Sequence, residues 1–353
     1  MPNPSAGSAN PAASLSALWG YIQPALDHIV RSPTNTPAKA PAVSVEYHVG
    51  IHTAVYNYFT TLSDPVALPQ SSTSTTTTTT ASAKGKNPAT SGTDLYSQLD
   101  KYYEDTCREL LAGCPPDDDT TLIAYLVPCF HRFSAGAASV NRLLNYVNRH
   151  YVKRAVEEDR GWLRVADVLD VVARTIKDTD TRENIAKRLR EQRKEELRKW
   201  GYEDAAGDEA IAKAEAGAEA ASALDRIVPL QSLAHRRFRT EILDPLLAVP
   251  KAKGKHKPKG KKKPPLPSPP TSTSASTSSS IEKPQPPGPG PGPKGRLARA
   301  VKDLIESKDG DEERRRKLAR DMDFAMGTAG IKLDHPLRKK LDKFASAVSL
   351  PKD

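Results

Sequence analysis

Apolar residues recur along this chain at spacings of three and four, the period of an amphipathic helix. From Ser14 to Arg31 the series is Leu15, Leu18, Trp19, Ile22, Leu26, Ile29 and Val30. Pro24 lies inside it and is expected to kink the helix or shift its start. A second helix is predicted from about Val43 to Leu62. One stripe holds Val45, His48, Ile51, Val55, Tyr58 and Leu62, and an adjacent one holds His52, Tyr56 and Phe59. Two stripes predict a helix that packs on its own bundle and offers a second face elsewhere.

After a Pro/Ser/Thr stretch with a Thr run at 75–80, a third helix is predicted from Thr93, its expected N-cap, to Gly113. Asp117 to Thr120 then supplies caps for a fourth, carrying Leu122, Ile123, Leu126, Phe130 and Phe133, with Pro128 expected to bend it. A fifth runs from about Ala137 to Val156 on Val140, Leu143, Leu144, Val147, Tyr151 and Val152. Five helices without a convincing strand predict an all-α bundle or repeat.

The pattern thins beyond Leu163. A helix continues on Val165, Val168, Leu169, Val172 and Ile176. Thr181 to Trp200 is densely charged and Ala205 to Leu224 is rich in Ala and Glu, so both are expected as solvated helices. A core-like pattern returns from Ile227 to Val249. A Lys/Pro/Ser stretch follows, and a last helical region begins at Leu297.

Composition changes this picture in two ways. Hydrophobic content is 37% over 353 residues, against the roughly 45–50% usual for globular chains when Gly is included. The 30 prolines cluster, which points to folded pieces joined by tracts unable to bury enough apolar surface. The net charge of +10 is local. Lys251, Lys253, Lys255, Lys257, Lys259, Lys261, Lys262 and Lys263 form an acid-free tract, and without these eight the charge falls to +2. A basic nucleic-acid surface is therefore not implied for the folded parts. With no apolar run of 18, no visible secretory leader and three cysteines outside any disulfide or zinc spacing, a reducing compartment is expected, cytoplasm or nucleus, with no membrane partner.

Catalytic signatures are absent. There is no phosphate loop of the form GxxxxGK[ST], no GxSxG elbow and no HExxH pair. His48 and His52 have helical i, i+4 spacing but no evident third ligand, so no metal is expected. Cys107 with His131 would make a nucleophilic pair, but a small buried thiol is the simpler reading. No catalytic residue and no cofactor are expected.

Two segments carry more than periodicity. Thr53-Ala54-Val55-Tyr56-Asn57-Tyr58 lies on the second predicted helix, and Leu144-Asn145-Tyr146-Val147-Asn148-Arg149-His150-Tyr151-Val152-Lys153-Arg154 on the fifth. Both resemble the N-terminal region of cullins, specifically the SCF-type cullin, in order and separation. Trp19 with Ile22, the Ser232-Leu233, Arg237-Phe238 and Pro245-Leu246 pairs, and Leu304-Ile305-Glu306 with Ala329-Gly330-Ile331 resemble further helices of that family more weakly.

The resemblance implies a non-catalytic scaffold of cullin-RING ubiquitin ligases, built from five-helix cullin repeats and serving ubiquitin-dependent protein catabolism. Its first repeat docks a Skp-type adaptor carrying an F-box protein. The implied adaptor-binding residues are Ile51, Val55, Tyr56, Tyr146, Asn148 and Arg149, with His48 and His52 standing where the family usually has tyrosines. The implied organisation is a first repeat at 14–157, with a disordered loop at about 64–92, and a helical continuation at 158–249 with charged inserted helices at about 178–225. A disordered linker at 250–295 and a partial second repeat at 296–353 complete it. A full cullin continues to a domain that binds the RING subunit, and no such domain is seen before Asp353. The rival reading is a nucleic-acid or chromatin-associated helical protein acting through the lysine tract.

Overall fold

The structure, a computed structural model, describes residues 10–32, 36, 39–63, 92–116, 119–176, 180–203, 207–249, 295–307 and 311–347. Among the described residues there are twelve helices and no strand, after a short turn at Pro11–Ala13. The bulk of the predicted loop at 64–92, the lysine tract and nearly all of the linker at 250–295 lie outside the described residues, as do Asp117, Asp118 and the Leu62 side chain.

Helix α1 (Leu15–Val30) starts where Ser14 Oγ accepts a hydrogen bond from Ala17 N at 3.2 Å. It runs through Pro24 without stopping. The carbonyl this proline leaves unpaired belongs to Gly20, which is exposed, so water can satisfy it. Helix α2 (Val45–Ser63) buries Tyr47, Ile51, Ala54, Val55, Tyr58 and Phe59. Helix α3 (Thr93–Ala112) begins one residue differently from expectation. Gly92, not Thr93, is the N-cap, with φ at +95°. A Cβ there would lie 2.5 Å from the Phe59 ring, so glycine is required by both conformation and space.

Helix α4 (Leu122–Leu143) joins what the sequence suggests are two helices. The chain passes 134–136 as helix and breaks at Leu144, whose ψ is +29°. Small residues at 134–137 (Ser-Ala-Gly-Ala) read as a boundary in one dimension. In three dimensions Gly136 lies against α1, where a Cβ would sit 3.1 Å from the Val30 backbone. Pro128 and Ala124, the residue whose carbonyl it frees, are both exposed. Asp119 does not cap α4. It pairs instead with Arg296 at 3.0 Å and Arg299 at 2.6 Å.

Helix α5 (145–157) is one rod of three pieces: Asn145–Val147, a π-turn at Asn148–Val152, and Lys153–Glu157. Next come α6 (Val165–Ala173), α7 (Arg182–Arg198) and α8 (Asp208–Ala221). Helix α9 (230–247) likewise contains a π-turn, at Arg239–Leu243. Helices α10 (Arg296–Glu306), α11 (Glu312–Thr328) and α12 (Pro336–Ser346) complete the fold.

The expectation that 205–224 is solvated does not hold. Helix α8 turns Ala214, Gly217, Ala218 and Ala220 inward against α9 and α11. Small side chains let the backbones approach closely, so alanine here is packing material. Helix α7 does follow the solvated expectation, burying only Leu197.

One continuous apolar core extends from Ala12 on the first turn to Leu341 on α12. Helix α9 sits within it, against α3 and α4. Arg237 ties that contact: its Nε donates to Asp100 Oδ1 at 2.7 Å, and Nη1 reaches Glu104 at 3.2 Å and Glu241 at 3.3 Å. The neighbouring Arg236 is buried and donates to the carbonyls of Ala223 (2.9 Å) and Arg226 (2.8 Å). On the last helical pair, Arg338 grips Asp323 through two bonds of 2.7 and 2.9 Å.

Candidate docking face

The α2 face left over once the core is filled carries Val45, His48, Val49, His52 and Tyr56, all exposed. Val45 is 77% exposed, Val49 56% and Tyr56 48%. Exposed apolar side chains in a row along one helix are unusual where a bundle could have covered them. The stripe assignment from sequence therefore needs two corrections. Val45 and His48 leave the core stripe, and Phe59 joins it.

Tyr146, at the start of α5, brings the two rods together. The rings of His52 (6.1 Å), Tyr56 (5.5 Å) and Phe59 (5.4 Å) each meet it edge-on. His150, one turn later, stacks on it at 4.0 Å with the planes 22° apart. Partial burial, then the neighbouring Tyr56, push the Tyr146 phenol upward, so it stays a neutral donor at ordinary pH. Arg149 is exposed beside this cluster. Aromatic side chains with an adjacent Arg are the residue types that most often anchor interfaces.

Three of the eight expected docking residues are placed otherwise. Ile51 and Val55 are 0% and 1% exposed and belong to the core. They support the face from below and cannot touch a partner in this conformation. Asn148 is occupied internally. Its Nδ2 donates to Asn141 Oδ1 at 2.8 Å, and its Oδ1 accepts from Leu230 N at 3.1 Å. Asn141 Oδ1 also accepts from Gln231 N at 3.3 Å. The two asparagines thus satisfy backbone donors that the N-terminus of α9 leaves open, and they fix α5 against it. His48, His52, Tyr56, Tyr146 and Arg149 remain on or at the surface.

Val49 and His150 are members the sequence reading missed. Val49 lies three residues before His52 and seven before Tyr56, so the i, i+3, i+7 spacing extends the second stripe back to it. The signal for His150 was its i, i+4 relation to Tyr146, which holds across the start of the π-turn. Such turns insert an extra residue and often mark functional segments.

The other candidate chemistry does not assemble. Cys107 is fully buried, and burial pushes its thiol well above the usual range. His131 stacks on Phe324 at 6.1 Å, and no hydrogen bond or ring contact joins it to Cys107 among the described residues. No group of three or more metal-binding side chains is found among the described residues. No helix among them is long and apolar enough to cross a membrane.

Over part of its length the chain is similar to a cullin. The similarity is to Cell division control protein 53, the yeast cullin of Saccharomyces cerevisiae: 24% identity over 168 residues, 46% of this chain and 19% of that protein. The chain thus spans about a fifth of the length of the relative it matches. No family model matches it, and no solved structure does.

Proposed function

We propose that the chain is a non-catalytic, cullin-like scaffold whose α2/α5 face docks a Skp-type adaptor and, through it, an F-box receptor. In this reading it serves ubiquitin-dependent protein catabolism as part of a cullin-RING ligase. The first repeat spans 14–157, and the helices at 296–353 belong to a second. The observation that carries the proposal is the convergence of His52, Tyr56 and His150 on Tyr146 at an uncovered surface. That surface lies on the two segments that resemble the family. A scaffold acts by holding substrate and transfer machinery together, which raises their effective concentration. Rigid aromatic anchors suit that task, because little side-chain freedom is lost on binding.

The test is capture of a Skp-type adaptor by the full chain. The His52→Glu/Tyr56→Ala variant is expected to lose capture while circular dichroism remains helical, since both side chains are exposed. Undiminished capture by a folded variant removes this face from the proposal.

A further inference from the structure

The groove between α10 and α12 shares no residue with the α2/α5 face. Its floor is apolar: Val301 and Leu337 are buried beneath, while Ile305 and Phe344 are left half-covered. It holds about 470 Å³. Both helices are 11 residues long, so the trough is roughly 16 Å, three helical turns.

The rim is asymmetric in charge. Lys302, Lys340 and Lys343 line it, against one acid, Glu306. Glu306 is engaged by Lys302 at 3.3 Å. Lys340 and Lys343 are exposed and pair with no carboxylate among the described residues. Lysine stems extend the apolar wall while their ammonium groups stay in water above it. An apolar floor of three turns with a cationic edge is the complement of one kind of object, a short amphipathic helix flanked by carboxylates.

We propose that this groove docks an acidic amphipathic helix of a partner protein. Leucine- or phenylalanine-type residues at i, i+3, i+4 and i+7 would seat on Ile305 and Phe344, and flanking Glu or Asp would meet Lys340 and Lys343. The charge contribution is attractive at long range and falls with salt.

The probe is a fluorescein-labelled 15-residue peptide with Leu at that spacing and Glu at its flanks, read by anisotropy against the full chain. A control peptide carries Lys in place of each Glu. Saturable binding of the acidic peptide alone is expected, weakened about tenfold or more by Lys340→Glu/Lys343→Glu and by Ile305→Gln. All three positions are at least partly exposed, and circular dichroism checks that the variants fold. Equal binding of the two peptides overturns the proposal, as does no saturation by about 1 mM. Binding only to phosphatidylserine vesicles would assign the groove to lipid instead. A concentration-dependent dimer that Ile305→Gln abolishes would assign it to a second copy of this chain. Because the readout does not involve the adaptor, failure here leaves the α2/α5 reading standing, and the reverse also holds.

Discussion

Asn148 and Arg149 are neighbours with opposite duties. Asn148 accepts from Leu230 N at the start of α9 and donates to Asn141 on α4, while Arg149 points to solvent. Asn148→Ala is therefore expected to cost about 1–2 kcal/mol in chemical denaturation, the usual scale for a lost cap or an orphaned buried donor. Arg149→Ala is expected to leave stability within about 0.5 kcal/mol and to weaken adaptor capture. The reverse result would exchange their roles. At this scale the sequence was legible in composition more than in direction. Tyr56, Tyr146 and Arg149 could be picked out as anchor types, but a docking residue and a core residue on adjacent stripes look alike until the neighbouring helices are placed. Ile51 and Val55 are placed on the face only by the family resemblance, and they lie under it.

Helix boundaries show the same limit at the next scale. Pro24 and Pro128 are strong punctuation in a sequence, yet both helices continue because the freed carbonyls lie on wet faces. Gly92 was legible as a loop residue, but its role depends on Phe59, 33 positions earlier. Gly92→Ala is expected to destabilise the protein by about 1–2 kcal/mol through the left-handed backbone alone, with further loss from the collision at Phe59. A thermal melt unchanged from the parent would contradict this.

The seating of α8 on α9 makes a sharper prediction. Ser232 Oγ donates to Glu219 Oε2 at 2.6 Å. Burial pushes the Glu219 carboxyl up to about 7, against the opposing Ser232 bond and with help from Glu215. On α9, burial pushes His235 down to about 4, while its Nε2 shares a 2.9 Å hydrogen bond with Ser134. The two titrations act in opposite directions. The folded protein keeps a proton on Glu219 that the unfolded chain releases above about 4.5. Stability from Glu219 is thus complete at low pH and is lost as pH rises to about 7. The unfolded chain protonates histidine below about 6.5, which folded His235 resists down to about 4, so that stability is complete above 6.5 and lost on acidification. Each spans on the order of 3 kcal/mol, and between pH 4.5 and 6.5 they offset one another. Relative to the parent, Glu219→Gln is expected to gain stability from pH 5 to 7.5. His235→Gln is expected to gain it from pH 6.5 to 4. Differences that stay flat with pH would contradict both assignments.

At the scale of the whole molecule, the helical class was legible because the three-and-four periodicity is long and repeated. The charged helix α7 was legible from its dense run of charges. The burial of α8 was not, since an Ala/Glu helix has no large apolar stripe to announce a partner. Nor was the way α9 ties to α3, because Arg237 and Glu241 make ion pairs across it and both residue types read as surface. Removing Arg237 leaves the half-buried Asp100 without its charge partner, although Glu104 and Glu241 keep Arg108. Arg237→Ala is accordingly expected to cost about 3 kcal/mol or more and to loosen α9 from α3, with a cooperative drop in melting temperature. A loss below about 1 kcal/mol would mean that this contact is peripheral.

The central claim, that α2 and α5 together form one adaptor-docking face, is tested most directly by amide hydrogen exchange of the full chain with and without a saturating Skp-type adaptor. Slowed exchange is expected at 45–63 and 145–153, with α10 and α12 unchanged. Protection elsewhere with α2 and α5 unaffected, or no protection at any adaptor concentration, would contradict it.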